Sequence, residues 1–254
     1  MSLGTPVDTR RAEAARFVEA GLEVRDRVLH APPAYVLSRA PIDVARQATL
    51  LEPVPPKRKA RVVVTPLGDD WRVEVACRDR HGLLAVITSV LVAHDLDILD
   101  AAVATWPDGG AVESFTIRGP ARPAEPAVLE AAIARAFGAP LDAPPLSEVE
   151  AVFDDASSQW YTVCEVLGTD RPGLLHAVTT AFAAAGACVH SARVGAVGGR
   201  VRDRFELTDV DGRKLGDAMK HAVRRTMRDG VARRHRRWGR RFLGLIDRMV
   251  ARRS

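Results

Sequence analysis

A seven-residue strand-to-helix turn occurs twice in the 254-residue chain, and it limits the possible folds more than any other feature. Thr169-Asp170-Arg171-Pro172-Gly173-Leu174-Leu175 repeats Arg78-Asp79-Arg80-His81-Gly82-Leu83-Leu84, with the two glycines 91 positions apart. An apolar, β-branched run precedes each copy (Trp71 to Cys77, Tyr161 to Leu167), and an alanine-rich helical pattern follows it. The period is longer than that of solenoid repeats and matches a small domain, so the chain reads as a tandem duplication.

The rest of each repeat follows in a common order. In the first, Trp71, Val73, Val75 and Cys77 alternate with Arg72, Glu74 and Arg78, as in a strand with one buried face. Leu83, Leu84, Ile87, Val90 and Leu91 have helical spacing, and segments 98–106 and 111–117 flank Pro107-Asp108-Gly109-Gly110 as a hairpin. A second helix is expected over 126–137, and 148–153 reads as a closing strand, with Val62-Val63-Val64 as an extra edge strand. The second repeat runs from a strand at 159 through a helix ending at Ala185. A hairpin of 188–196 and 201–209 follows, with Val201, Asp203, Phe205 and Leu207 on one face, and then a helix over 215–228. It shows no closing strand. The order is that of the split βαβ arrangement, so the predicted class is α+β, with two tandem ferredoxin-like (βαββαβ) domains at 61–156 and 157–229. Their uncovered sheet faces and edge strands need partners, side by side in one chain or between chains.

Residues 1–60 read as a helical segment and linker. Ala12, Ala15, Val18 and Leu22 predict one helix over 8–29, Pro41 opens another containing Ile42, Ala45 and Leu50, and the proline-rich 52–59 connects to the first domain. With 47% hydrophobic residues the domains can form ordinary cores. No apolar run approaches the roughly 20 residues of a membrane span, and the start has no signal-peptide core, so a cytoplasmic protein is expected. Cys77, Cys164 and Cys188 are isolated in apolar segments and read as small core residues, with neither a disulfide framework nor a metal site expected. His94-Asp95 sits at a helix end with no histidine cluster around it. No catalytic triad, phosphate-cradling loop or cofactor motif is present, so no enzyme activity and no cofactor are expected.

The net charge of +5 conceals an asymmetry. From Lys220 onward there are 13 Lys/Arg against two acids, whereas the remainder holds 24 against 30. Val223, Met227, Val231, Trp238, Phe242, Leu245 and Met249 recur at helical spacing within that basic stretch. Residues 230–254 therefore read as a basic amphipathic helix that packs on the acidic body or a second chain, the alternative being contact with nucleic acid or an anionic membrane.

Several stretches together resemble ACT domains, and more closely the C-terminal tandem ACT pair of the bifunctional PII uridylyltransferase/uridylyl-removing enzymes. They are 159–166 (QWYTVCEV), Asp170-Arg171-Pro172-Gly173-Leu174-Leu175, His190-Ser191-Ala192-Arg193-Val194 and 208–215 (TDVDGRKL), with Tyr35-Val36-Leu37-Ser38 ahead of them. The resemblance covers roughly residues 32–216 and leaves about thirty residues before Tyr35, too few for a nucleotidyltransferase or phosphohydrolase core. It implies a regulatory protein that binds an amino acid, glutamine first, at an interface between paired domains, with a homodimer through those domains and a protein partner that receives the signal. At the turns, a glycine before a helix lets a ligand approach the backbone, and the free N–H groups of the first helical turn suit a carboxylate. The candidate ligand-binding residues are Asp170, Arg171, Gly173 and Leu174, with Asp79, Arg80, Gly82 and Leu83 in the first copy. His81 in place of Pro172 makes the second turn the better candidate. The alternative is a scaffold without ligand, whose aspartates only cap their helices and whose tail makes the contacts.

Overall fold

The protein is described here by a computed structural model over residues 5–19, 21–118 and 125–232. Four short helices come first: α1 (Pro6–Ala15), α2 (Leu22–Leu29), α3 (Pro33–Ser38) and α4 (Pro41–Leu50). The single helix expected over 8–29 is thus two, because Gly21 takes a left-handed φ of 79° that interrupts it. Helix α3 was not expected; it starts at Pro33, where a proline costs no backbone donor. The first repeat follows as β1 (Ala60–Leu67), β2 (Asp70–Arg78), α5 (Leu83–Ala93), β3 (Asp97–Thr105), β4 (Gly110–Arg118) and α6 (Pro126–Ala136). The second comprises β5 (Glu150–Asp154), β6 (Thr162–Thr169), α7 (Leu174–Ala185), β7 (Cys188–Arg193), β8 (Ala196–Val197), β9 (Arg200–Thr208) and α8 (Asp217–Asp229). The basic helix expected at 230–254 lies outside the described residues beyond Ala232; Val231 bridges to Ala143.

Two antiparallel sheets result, ordered β1-β2-β4-β3 and β5-β6-β9-β7, with β8 added on β9. Each is ferredoxin-like, but the strand beside the central one precedes it in sequence. Segment 148–153, expected to close the first repeat, instead supplies β5, which pairs with β6 from Glu150↔Leu167 to Asp154↔Val163. Its place in the first sheet is taken by β1, where Val64 faces Val73. The physical reason is loop closure. A tight turn at Gly68 (φ 62°) joins β1 to β2 locally, whereas a closing strand must return across the sheet after α6. The same strand shift supplies the edge that the second repeat seemed to lack.

The two repeats pack on each other within the chain. Helix α5 lies against α7, and edge strand β3 runs beside edge strand β7. Thr88 and Thr179, also 91 positions apart, meet with their hydroxyl oxygens 3.2 Å from each other, which marks a pseudo-two-fold axis. Each hydroxyl also bonds the carbonyl four residues earlier in its own helix, so neither polar group is stranded in the core. One hydrophobic core runs through both domains, including Ile87, Leu91, Phe115, Val178, Phe182 and Phe205. The Phe182 and Phe205 rings meet edge to face at 5.0 Å.

The outer face of the first sheet is covered, and that of the second is not. Val24, Val28, Tyr35, Val44, Ala48 and Leu51 of the N-terminal helices bury Ala76, Ala104, Trp106 and Val112. This explains why β2 and β4 are buried on both faces while β9 alternates. The equivalent face of β9 carries Arg202 and Arg204, which reach Glu165. Glu74, its counterpart on β2, is fully buried under the cap, accepting from Gln47 (2.5 Å) and ion-paired to Arg46. Removing one partner of a buried pair leaves an uncompensated charge. Arg46→Ala is therefore expected to lower stability by about 3 kcal/mol in denaturant unfolding, and a loss below ~1 kcal/mol would show that the pair does not hold the cap.

Candidate functional site

Each turn is built the same way. Gly82 and Gly173 take left-handed φ values of 74° and 75°, which an L side chain adopts only with strain, and each immediately precedes a helix, four residues after its strand ends. The turns are tied to the opposing hairpins by Asp79 N–H to Gly109 O (2.8 Å) and Asp170 N–H to Gly199 O (2.9 Å). In the first turn of α7, Leu174 N–H bonds Arg171 O (3.1 Å) and Ala177 N–H bonds Gly173 O (3.0 Å), leaving Leu175 and His176 N–H outside the helical ladder. In α5 the same pattern leaves Leu84 and Ala85.

The cleft at the second turn is large, about 630 Å³, and about a third of its wall comes from the first domain. Val92, Leu96, Ile98, Val194 and Val201 supply apolar surface, while Asp170, Asp203, Asp95, Asp97 and His176 bring polar groups. Asp203 is almost fully buried on β9 and accepts a hydrogen bond from Gly195 N–H at 3.1 Å. Burial pushes its pKa up from 3.8 to about 6; the Gly195 N–H works against this shift and the charge on Asp170 adds to it. Burial lowers the pKa of His176, whose ring bonds Asp142 O at 3.1 Å. A helix start at one wall and a buried carboxyl at another make this cleft complementary to a zwitterion.

The cleft at the first turn is nearly closed, at about 50 Å³. His81 is the reason. Its Nε2 donates to Ala183 O (2.8 Å) in the last turn of α7, and its Nδ1 faces Cys188 Sγ at 3.5 Å. Pro172, at the matching position, has no group that could reach across. The approach at Gly82 is also tighter: a Cβ there would meet the Ala183 Cβ at 3.3 Å, whereas one at Gly173 would meet Val92 at 3.8 Å. Glu113 lines this small cleft. It matches Asp203 by register, since Val75 pairs with Glu113 and Val166 with Asp203.

The expected site residues are therefore brought to two separate clefts. Asp170 and Gly173 line the large one. The Arg171 guanidinium bonds Pro145 O (3.1 Å) at its edge, and the Leu174 side chain lies in the core. At the small cleft, Asp79 accepts from Arg80 N–H of its own turn (2.8 Å). Arg80 turns away to Phe137, bonding its carbonyl at 2.9 Å and lying over its ring, and Leu83 is buried. Cys77 and Cys164 are buried, but Cys188 is only partly so. Asp203 and Glu113 are the residues that the turn motif does not contain. Their signal is an acid in the inward phase of an alternating strand, beside Phe205 and Phe115.

Comparison with known proteins places this geometry. Residues 162–218 match the ACT domain. The chain is 33% identical over 217 residues to the bifunctional uridylyltransferase/uridylyl-removing enzyme of Rhodospirillum rubrum, covering 72% of this chain and 22% of that one. It is 30% identical over 222 residues to the same enzyme of Methylococcus capsulatus, covering 76% and 24%. Against that of Novosphingobium aromaticivorans it is 34% identical over 163 residues, covering 56% and 18%. The chain thus spans about a fifth to a quarter of the length of these relatives. ACT domains are regulatory modules for small ligands, typically amino acids. With glycine turns at both helix starts and the match over 162–218, this chain carries an ACT domain in its second repeat, has a first repeat of the same ferredoxin-like build, and is similar to part of the uridylyltransferase/uridylyl-removing enzymes.

Proposed function

We propose that this chain is a non-enzymatic regulatory protein of the cytoplasm that binds one amino acid in the second-turn cleft and passes the signal to a protein partner. The observation that carries the reading is the 630 Å³ cleft with a helix start on one wall and the buried Asp203 on another. The ligand α-carboxylate takes the free N–H groups of Leu175 and His176, and the α-ammonium takes Asp203 with Asp170. The apolar wall of Val92, Leu96 and Ile98 comes from the first repeat, so an occupied cleft ties the two domains together. Such coupling turns ligand binding into a change in how firmly the repeats are paired. Glutamine is the first candidate, as the resemblance to the uridylyltransferase/uridylyl-removing enzymes implies. A homodimer would have to use surfaces other than the α5 and α7 faces, which pack on each other within the chain.

Isothermal titration of the full chain with a panel of amino acids tests this. Native protein is expected to bind glutamine, and Gly173→Val to lose at least about tenfold in affinity through strain and a blocked approach. Gly212→Val, which has similar backbone strain in open space, should bind as native. No binding by any amino acid, or equal binding by Gly173→Val, would overturn the reading.

Asp203 gives the reading a pH dependence. Its folded pKa of about 6 lies above the ordinary 3.8, so the folded state holds the proton more tightly than the unfolded state. The cost of the buried charge is absent below the unfolded value, grows as pH rises to about 6 and is constant above it. Asp203→Asn should therefore gain about 3 kcal/mol of stability at neutral pH and none at acid pH. Ligand affinity should run the other way: the native protein weakens as pH falls through about 6 and the ammonium loses its carboxylate partner, while Asp203→Asn binds weakly at every pH. A flat native profile would remove Asp203 from the ligand's contacts.

A further inference from the structure

The small cleft at the first turn contains a group that nothing assigned so far accounts for. Glu113 is fully buried, and neither of its carboxyl oxygens has a hydrogen-bond partner. A buried carboxyl without a hydrogen bond is costly in a core, so its two oxygens are available to a partner from outside the chain. Around it the cleft of about 50 Å³ presents Asp79, His190 and Cys188. Burial lowers the pKa of His190, so its ring is neutral near pH 7. Nε2 lies 2.7 Å from Thr208 Oγ1, and a neutral ring keeps one lone pair. The nearest cation of the turn, Arg80, is turned away to Phe137, and both nitrogens of His81 are engaged. Two carboxyl groups thus face a helix start worth only about half a charge, and the balance favours a cation.

We propose that this cleft is a second binding site, distinct from the amino-acid cleft, that takes a primary ammonium group no larger than methylammonium, with Glu113 as its anchor. The volume decides the size. A cavity of about 150 Å³ holds benzene, so one of about 50 Å³ has no room for an amino acid but does for one or two heavy atoms. The donor count decides the chemistry. The two unpartnered Glu113 oxygens, in a cleft also lined by the Asp79 carboxylate, are acceptors for the N–H donors of an ammonium. A metal ion would want a fuller shell, and among the described residues no cluster of ligating side chains could hold one. Burial and the charge on Asp79 hold the empty Glu113 carboxyl well above its ordinary pKa. Occupation therefore releases one proton: the carboxylic acid and the ammonium ion give the carboxylate–ammonium pair and H⁺, and binding strengthens as pH rises.

The test is thermal unfolding of the full chain near pH 8 at matched ionic strength in ammonium, methylammonium, butylammonium, potassium and sodium chlorides. Ammonium and methylammonium should each give a saturable rise of about 2–4 °C, and the other three none. Glu113→Gln, which keeps the shape and removes the charge, should abolish the rise, while Gly173→Val should keep it. Should Glu113→Gln not fold, ¹⁵N-ammonium NMR on native protein takes its place, with a bound signal expected that methylammonium displaces and potassium does not. An equal response to all cations, a response to butylammonium, an unchanged response in Glu113→Gln or no response at all would each overturn the proposal. Because amino-acid binding is read at the other turn, its failure leaves this result intact, and the reverse holds.

Discussion

The contact between α5 and α7 across the Thr88–Thr179 axis is the constraint on which the rest of the structure depends. It brings each glycine turn against the end of the other repeat's helix, so neither cleft belongs to one domain. Val92 and Leu96 wall the second turn, and Ala183 and Cys188 wall the first. The pairing also buries the helix faces that a lone ferredoxin-like domain would expose, and a single core runs through both repeats. A ligand at either turn therefore acts on the same packing that holds the domains together.

Duplication would ordinarily give two equal sites, and a few side chains break that equality. His81 reaches the carboxyl-terminal end of α7 and closes its cleft, while Pro172 leaves its own open. A histidine N–H on a helix-end carbonyl is a favourable contact, since those carbonyls lack helical partners. The paired acids differ as well. Asp203 is one carbon shorter and receives Gly195 N–H, whereas Glu113 receives nothing. The N-terminal cap adds a third difference, covering the first sheet and leaving the second sheet's Arg202 and Arg204 outward.

Much of this was legible in the sequence, and the exceptions have physical causes. The repeated turn fixed the strand-to-helix joints and the α+β class, because glycine at left-handed φ and the flanking periodicities are local signals. The bond from His81 to Ala183 joins residues 102 positions apart, so only the substitution for proline hinted at it. The strand at 150–154 read correctly as a strand but joined the other sheet, since pairing is decided by which central strand it can reach and not by its own composition. The cap is hidden for a similar reason: the outer sheet face is expected to need a partner, but that the N-terminal helices supply it shows only when Ala76, Ala104 and Val112 on β2, β3 and β4 are read together. Glu113 is hard to read as buried because a charged residue in a strand reads as outward unless its phase is followed through Ala111, Phe115 and Ile117.

The central claim is that one sequence motif, written twice, yields one amino-acid cleft and one closed counterpart. The most direct measurement is the stoichiometry of amino-acid binding to the native full chain at saturation, counted by equilibrium dialysis with radiolabelled ligand. The account predicts one molecule bound per chain. Two molecules per chain with similar affinity would contradict it, because the first turn would then be as open as the second.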